Sequence, residues 1–328
     1  MKTIIKVEIV ILAVLVIAAV GASLMMGGLL DTSEPVLVQR TPEPIPTDAP
    51  EAVVEEVSYQ QEATEPKEAP EVAATRYFAY DLRQDTYLRT LGDVDEPLYP
   101  ASITKLLTCY VVLQYMDPED TVTVGDALSL VEEDSSVADL QEGDVLTVEQ
   151  LIAAMMLPSG NDAAQVAAVA TGRAIAGYED LPCEQAKEVF VKEMNVQAEL
   201  LGMHNSHFVS PDGWHDENHY TTMADLVTLS RTVLQNQTIL KYTTRPKETV
   251  QLSDRELEWE NTNFLLYEGG EAYVPSAIGL KTGYTGAAGG CLVSAFFETD
   301  RVILIGVFGG PGFTMDRYLD TVAIYNSL

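Results

Sequence analysis

The feature that most limits how this chain can fold is an apolar stretch of 22 residues without a charge, residues 9–30. About 20 consecutive apolar residues are needed to cross a bilayer as a helix. Lys2 and Lys6 precede the stretch, and positive charges favour the cytoplasmic side. Residues 1–30 therefore predict a single-pass transmembrane anchor with the N-terminus inside the cell. A cleaved signal peptide is the alternative, because Val20-Gly21-Ala22 resembles a cleavage site, and the protein would then be secreted.

Residues 31–75 have a composition that opposes folding. They contain seven prolines, eleven acidic residues and two basic residues, without a sustained apolar period. Such a segment cannot bury enough apolar surface to offset the entropy that is lost on ordering. We therefore expect a disordered linker rich in proline and glutamate, with residues 76–328 as the folded domain.

The charge and the cysteines exclude two classes of function. The chain has 19 basic and 50 acidic side chains and a formal net charge of −31. This excess repels phosphate backbones, so nucleic acid is excluded as a partner. Cys109, Cys183 and Cys291 show no Cys-x-x-Cys spacing, which argues against a disulfide framework or a cysteine metal site. They predict small buried side chains, with at most one bridged pair.

The order of the predicted elements in residues 76–328 indicates the fold class. Strand patterns at 77–80 and 86–91 predict a hairpin. Helical patterns follow at 102–115, 147–156, 162–174, 184–201 and 223–234. Strand patterns then occur at 249–252, 256–260, 277–282, 291–297 and 301–308, before a final helix at 316–326. This order differs from alternating βαβ units, so we expect an α+β, layered architecture.

The first of three short motifs is Ser102-Ile103-Thr104-Lys105. Residues i and i+3 share one face of a helix, so the Ser102 hydroxyl and the Lys105 amine can meet. A serine becomes a good nucleophile when a neighbouring base takes its proton. Lysine can be that base when burial or a nearby cation keeps it partly neutral. Alone, the pattern is weak, since a chain of average composition contains it about once by chance.

The other two motifs are also ambiguous when taken singly. Ser159-Gly160-Asn161 lies at a break between two predicted helices, where it either projects polar groups into a cleft or only ends a helix. Lys281-Thr282-Gly283, followed by Tyr284, lies in a predicted strand. A cation and a hydroxyl suit a substrate carboxylate, and glycine allows a close approach. The alternative is an edge strand protected by its lysine.

Together, the motifs resemble the S-x-x-K, S-D-N and K-T-G set of penicillin-recognising enzymes, with SGN in place of SDN. The chain is similar to the low-molecular-weight penicillin-binding proteins, which are serine-type D-Ala-D-Ala carboxypeptidases of peptidase family S11. Further similar runs are Tyr99-Pro100-Ala101-Ser102, residues 157–164, Ser206-His207-Phe208, Asn261-Thr262-Asn263 and residues 279–285. The resemblance implies a β-lactamase/DD-peptidase-like fold, in which an antiparallel sheet is flanked by helices. The active site would lie between the sheet and a helical subdomain.

The resemblance also implies catalytic roles. Ser102 would attack the carbonyl between two D-alanines at the end of a peptidoglycan stem peptide and form an acyl-enzyme. Lys105 would be the general base, and Ser159 would relay a proton toward the departing D-alanine. β-Lactam antibiotics would acylate Ser102 as mimics of the dipeptide. The family mechanism needs no metal and no cofactor.

Substrate binding is implied for five further residues. Asn161 would position the substrate amide, and Lys281 would shape the electric field around the nucleophile. Thr282 would bind the terminal carboxylate, beside Gly283. The backbone N–H groups of Ser102 and Tyr284 would form the oxyanion hole. Relatives often place an arginine after the last strand to meet the carboxylate, and Arg317 is the nearby candidate in this chain.

Four alternatives stay open from the sequence. All four histidines, His204, His207, His215 and His219, lie within 16 residues, which would suit a zinc site, but there is no H-E-x-x-H motif. A β-lactamase would need a carboxylate for deacylation, and Glu188 and Glu193 lie on the next predicted helix. D,D-endopeptidase activity on cross-links would use the same motifs. An inactive cell-wall-binding protein would be expected to have lost Ser102, Lys105 or Lys281.

Overall fold

The structure, a computed structural model, describes residues 68–328. The predicted anchor at 1–30 and residues 31–67 of the predicted linker lie outside the described residues. The strands are β1 (Arg76–Asp81), β2 (Thr86–Leu91), β3 (Thr121–Thr123), β4 (Val145–Thr147), β5 (Lys247–Gln251), β6 (Glu256–Glu260), β7 (Ala277–Thr285), β8 (Gly289–Phe297) and β9 (Val302–Gly310). The helices are α1 (Lys105–Tyr115), α2 (Val148–Met156), α3 (Asn161–Ala176), α4 (Cys183–Leu201), α5 (Met223–Val233), α6 (Gln237–Thr243) and α7 (Asp316–Asn326). Among the described helices, none is long and apolar enough to span a bilayer.

The main sheet contains strands from both ends of the described chain. Its five strands are antiparallel in the order β2-β1-β9-β8-β7, so the first hairpin pairs with the last strand. Successive side chains of β9 alternate between two cores, as a strand buried on both faces requires. Ile303 and Ile305 pack with Tyr318 of α7, whereas Leu304 packs with the core that contains α1. The sheet therefore lies between α7 and the other helices, which confirms the expected α+β layers.

Helix α1 occupies the centre of the helical part, where it contacts α2, α3, α4 and α5. Seven of its eleven residues are buried, which explains the nearly continuous apolar run in its sequence. A capping box is present at the start of α2, where Thr147 and Gln150 each accept a hydrogen bond from the other's backbone N–H. The buried α1 therefore fixes Lys105, the last residue of the first motif, in the core of the helical part.

The structure differs from the sequence prediction in its shortest elements. The pattern does not predict β3 and β4, because strands of three residues are too short to show a period. It also misses α6, a helix of seven residues. The helix predicted from residue 102 begins instead with a 3₁₀ turn, Ala101–Thr104, and becomes α-helical at Lys105.

The packed part begins before the predicted boundary at residue 76. The N–H groups of Ala73 and Ala74 donate to the carboxylate of Asp320 at 3.0 and 2.8 Å, and Thr75 N–H donates to the Phe308 carbonyl at 3.0 Å. The last residues of the segment predicted as linker therefore lie against β9 and α7.

Candidate active site

The turn that carries Ser102 faces a cleft between the sheet and the helices. Ser102 is partly exposed in the 3₁₀ turn, and Lys105 is fully buried at the first position of α1. Lys105 Nζ lies 2.9 Å from Ser102 Oγ. The two side chains thus meet, as their i, i+3 spacing predicts.

Two further contacts hold the Lys105 amine in place. Nζ donates to Asn161 Oδ1 at 2.7 Å and to the backbone carbonyl of Asp212 at 2.9 Å. Burial lowers the pKa of Lys105 to about 8, against the opposing effect of the Asp212 and Asp162 carboxylates. An amine with this pKa is partly neutral near neutral pH, which is the requirement for a general base.

The second motif forms the break between α2 and α3. Ser159 lines the cleft with φ at 63°, a left-handed conformation that costs a non-glycine residue about 1 kcal/mol or more. Asn161 and Asp162, which follow in the chain, attach the break between the two helices to the loop at 134–140. Asn161 N–H donates to the Ser136 carbonyl at 2.7 Å, and the Asp162 carboxylate accepts from the N–H groups of Ala138 and Leu140.

The third motif lies on β7, at the edge of the main sheet. Lys281 is buried, and its Nζ donates to the Thr282 carbonyl at 3.1 Å. Burial, with the nearby charges of Lys105 and Arg317, holds the pKa of Lys281 well below its usual range. The Thr282 hydroxyl lies 2.6 Å from the Thr262 hydroxyl, so two hydroxyl groups are paired at this point of the cleft.

Gly283 allows β7 to touch the turn that carries Ser102. A Cβ atom at Gly283 would lie 2.9 Å from the Pro100 carbonyl oxygen and 3.2 Å from the Ser102 nitrogen. Any larger residue would push the strand and the turn apart. The close approach brings the backbone of β7 at Gly283 beside the Ser102 nitrogen.

The cleft has a volume of about 320 Å³ and gathers most of the predicted site. Its lining includes six residues that the motifs single out: Ser102, Ser159, Asn161, Thr282, Gly283 and Tyr284. Lys105 and Lys281 lie beneath this surface, where they are fully buried.

The cleft also contains residues that the motif analysis did not select. Thr262 stands within one of the family-like runs, so a signal for it existed. Trp214 and Phe313 are exposed at the cleft and lie in loops without a periodic pattern. Asp212 belongs to none of the three motifs, yet its backbone carbonyl accepts a hydrogen bond from Lys105.

Arg317 lies behind β7. It is buried, and its Nη1 donates to the Gly283 carbonyl at 2.9 Å. The centre of its guanidinium lies 4.4 Å from the ring of Phe313 and 5.2 Å from that of Tyr318. A buried cation therefore stands next to the strand that carries Thr282.

The four histidines have separate partners. His204 pairs with Glu199, His207 binds the Asn218 carbonyl and His215 packs against the ring of Tyr99, while His219 is buried beside α1. Within residues 68–328, no group of three or more His, Cys, Asp or Glu side chains is arranged to bind a metal ion. All three cysteines are buried and free.

The two glutamates considered for deacylation lie elsewhere. Glu193 accepts a hydrogen bond from the Tyr115 hydroxyl at 2.6 Å, and neither it nor Glu188 lines the cleft. The carboxylate of Asp212 does border the cleft, but Gln165 Nε2 and Trp214 N–H donate to it at 2.7 and 2.9 Å.

Comparisons with known proteins identify the family of this chain. Residues 61–311 match the family model of Peptidase S11, the D-alanyl-D-alanine carboxypeptidases. The D-alanyl-D-alanine carboxypeptidase of Streptomyces sp. strain K15 is 35% identical over 249 residues, which cover 72% of this chain and 80% of that protein. DacF of Bacillus subtilis is 30% identical over 220 residues, and DacD of Escherichia coli is 32% identical over 254 residues. The matches cover 66% and 73% of this chain but only 52% and 59% of those two relatives.

Solved structures share the fold. The crystal structure of the Streptomyces K15 DD-transpeptidase has a TM-score of 0.72 at 31% identity and covers 79% of this chain and 98% of that one. Penicillin-binding protein D2 from Listeria monocytogenes, in its cefotaxime-bound form, has a TM-score of 0.65 at 25% identity and covers 80% and 99%. The expected β-lactamase/DD-peptidase-like fold is confirmed. The chain belongs to the Peptidase S11 family, the D-alanyl-D-alanine carboxypeptidases.

Proposed function

We propose that this protein is a serine-type D-Ala-D-Ala carboxypeptidase that removes the terminal D-alanine from peptidoglycan stem pentapeptides. The observation that carries the proposal is the contact between Ser102 and a buried lysine whose pKa is lowered to about 8. Family membership supports the same reaction. β-Lactam antibiotics would bind in the cleft and acylate Ser102.

The reaction begins when neutral Lys105 takes the proton of the Ser102 hydroxyl. The serine oxygen attacks the carbonyl carbon of the penultimate D-alanine, and the negative charge on the carbonyl oxygen is stabilised by the N–H groups of Ser102 and Tyr284. The C–N bond then breaks, and protonated Lys105 gives up its proton, which reaches the departing amine through the Ser159 hydroxyl and leaves Lys105 neutral again. Water, deprotonated by Lys105, attacks the ester carbonyl. The bond between the acyl carbon and Ser102 Oγ breaks, Lys105 returns the proton to Ser102, and the shortened peptide is released.

Substrate binding uses both sides of the cleft. Because Asn161 Oδ1 accepts from Lys105, its Nδ2 is oriented to donate to a substrate amide carbonyl. The paired hydroxyls of Thr282 and Thr262 receive the terminal carboxylate. The buried guanidinium of Arg317 lies behind β7 and supplies positive charge at this end of the cleft, and Lys281 shapes the field beside the nucleophile.

Residues outside the described part would determine where the reaction takes place. Residues 1–30 form a membrane anchor and residues 31–72 a linker that holds the catalytic domain, residues 73–328, on the extracytoplasmic face of the cell membrane. The uncharged stretch at residues 9–30 supports this arrangement. External protease added to intact spheroplasts should release a catalytic fragment, whereas a protected domain would contradict this topology.

The first experiment is D-alanine release from a peptide ending in D-Ala-D-Ala, together with labelling by a fluorescent penicillin. We expect Ser102→Ala to abolish both, since it removes the nucleophile, and a chelator to have no effect on the wild type. Ser129→Ala, at an exposed serine on a different turn, is the matched control. Persistent covalent labelling of Ser102→Ala would contradict the assignment, and activity lost to the chelator would indicate a metal enzyme.

The lifetime of the penicillin adduct separates this function from β-lactamase activity. Glu188 and Glu193 do not line the cleft, and the Asp212 carboxylate is already held by two donors. We therefore expect the adduct on Ser102 to persist for many minutes. Rapid loss of the label, with turnover of penicillin, would instead favour a β-lactamase. Labelling without D-alanine release would favour a D,D-endopeptidase acting on cross-links.

A further inference from the structure

A chain of hydrogen bonds ends at the peptide group immediately before Ser102. Val209 N–H donates to His219 Nδ1 at 3.2 Å, and His219 Nε2 lies 2.8 Å from Thr104 Oγ1. The Thr104 hydroxyl in turn donates to the Ala101 carbonyl oxygen at 2.8 Å. His219 and Thr104 are 2% and 1% exposed, so water does not compete for these bonds.

The direction of each bond in this chain is determined. Since Nδ1 of His219 accepts from a backbone N–H, the ring proton of neutral histidine must reside on Nε2. Nε2–H therefore donates to Thr104 Oγ1, which leaves the threonine proton for the Ala101 carbonyl. Burial lowers the pKa of His219 to about 4, so the ring keeps this neutral form at physiological pH.

The Ala101 carbonyl and the Ser102 N–H belong to the same planar peptide group, and they point in opposite directions. Holding the carbonyl oxygen thus sets the direction of the N–H. Ala101 has φ at 49°, which non-glycine residues adopt only when their surroundings impose it. Gly213 also packs closely against this carbonyl group. A Cβ atom at Gly213 would lie only 1.9 Å from the Ala101 oxygen.

We propose that His219 and Thr104 are positioning residues that orient the Ser102 N–H as an oxyanion donor. The inference rests on the proposed function, in which this N–H stabilises the tetrahedral intermediates of acylation and deacylation. The donated hydrogen bond also polarises the peptide group, which strengthens the N–H at its other end. Neither side chain lines the cleft, so neither contacts the substrate.

The test compares Thr104→Val, which removes the hydroxyl at nearly constant shape, with Thr104→Ser, which keeps it. Thr228→Val is the matched control, because the Thr228 hydroxyl only donates to the Ala224 carbonyl within α5. His219→Gln retains a donor amide, and His219→Leu does not. Thr104→Cys, with a weak thiol donor, replaces Thr104→Val if that variant does not fold. The full-length chain is used throughout, kept in detergent.

Three quantities are measured for each variant: kcat and KM for D-alanine release, and the Kd of an N-acyl 1-aminoethylboronic acid. The boronic acid forms a tetrahedral adduct with the serine and so reports transition-state binding. All rates are divided by the number of sites that fluorescent penicillin labels, so that misfolded protein does not count.

We expect Thr104→Val and His219→Leu to lower kcat per labelled site about 10- to 100-fold. This loss is smaller than the loss of kcat that follows removal of an oxyanion donor itself. KM should stay within about twofold, and the boronic acid Kd should rise in parallel with the loss of kcat. Thr104→Ser, His219→Gln and Thr228→Val should remain close to wild type.

An unchanged kcat per labelled site and an unchanged boronic acid Kd in Thr104→Val would overturn the inference, even if the variant were less stable. A wild type that is labelled by penicillin but releases no D-alanine would instead overturn the proposed function. In that case the acylation rate constant with penicillin replaces kcat and still decides the role of His219 and Thr104.

Discussion

The side chain of Lys105 sets the pH dependence expected of this site. Burial lowers its pKa to about 8, and the neutral amine is the form that can accept the serine proton. The rate constant of acylation should therefore rise about tenfold per pH unit below pH 8 and become constant above it. Acylation by fluorescent penicillin between pH 5.5 and 9.5 measures this profile, and a flat profile over that range would contradict the assignment.

The charge of Asp212 should influence the pKa of Lys105. The Asp212 carboxylate favours the charged form of Lys105 and so raises the lysine pKa. Asp212→Asn should move the midpoint of the acylation profile to lower pH, because this opposing charge is gone. Asp126→Asn, at an exposed aspartate paired with Arg173, is the control and should leave the midpoint in place. A midpoint that moves to higher pH in Asp212→Asn would disprove the electrostatic argument.

At the scale of elements, the contact between β7 and the turn before α1 determines the geometry of the site. Gly283→Ala would place a Cβ 2.9 Å from the Pro100 carbonyl oxygen. Overpacking of this kind costs about 1–3 kcal/mol and displaces the two segments. We expect a lower midpoint in urea unfolding and at least a tenfold loss in the acylation rate.

Gly286 provides a control three residues further along the chain. A Cβ at Gly286 meets no atom within 4 Å, and Gly286 does not line the cleft. Gly286→Ala should therefore retain the stability and the acylation rate of the wild type. Equal effects of the two substitutions would mean that the close approach at Gly283 is unimportant.

At the scale of the whole molecule, the first described residues are hydrogen-bonded to the C-terminal helix α7. Asp320 of α7 is 6% exposed, and the N–H groups of Ala73 and Ala74 both donate to its carboxylate. A chain that starts at residue 76 leaves this buried carboxylate without these donors, which costs about 1–3 kcal/mol. We expect residues 76–328 to unfold at lower urea concentration than residues 68–328.

A double-mutant cycle isolates this contact from the loss of Thr75 and its own hydrogen bond. Asp320→Ala should destabilise residues 68–328 by more than it destabilises residues 76–328, because only the longer chain contains the donors. Equal losses of unfolding free energy in both chains would show that the contact contributes nothing.

Local patterns were sufficient to predict a large part of this protein. Ser102 and Lys105 meet because they stand three positions apart at the start of a helix, and the capping box at Thr147 depends on an equally short spacing. The order of the predicted helices and strands indicated the α+β class. Each of these features depends on neighbours within about one or two helical turns, which a sequence displays directly.

Only the tertiary structure decided what surrounds the nucleophile. Lys105 is hydrogen-bonded to the backbone carbonyl of Asp212, which lies 107 residues away in the chain. Thr104 is hydrogen-bonded to His219, which lies 115 residues away. Gly283 reaches the turn at Pro100 because β7 forms the edge of the main sheet. Such contacts depend on where distant segments cross in the packed core, and no spacing along the chain encodes that crossing. The sequence by itself therefore determined which groups carry the chemistry, and the packing of distant segments decided how those groups are held.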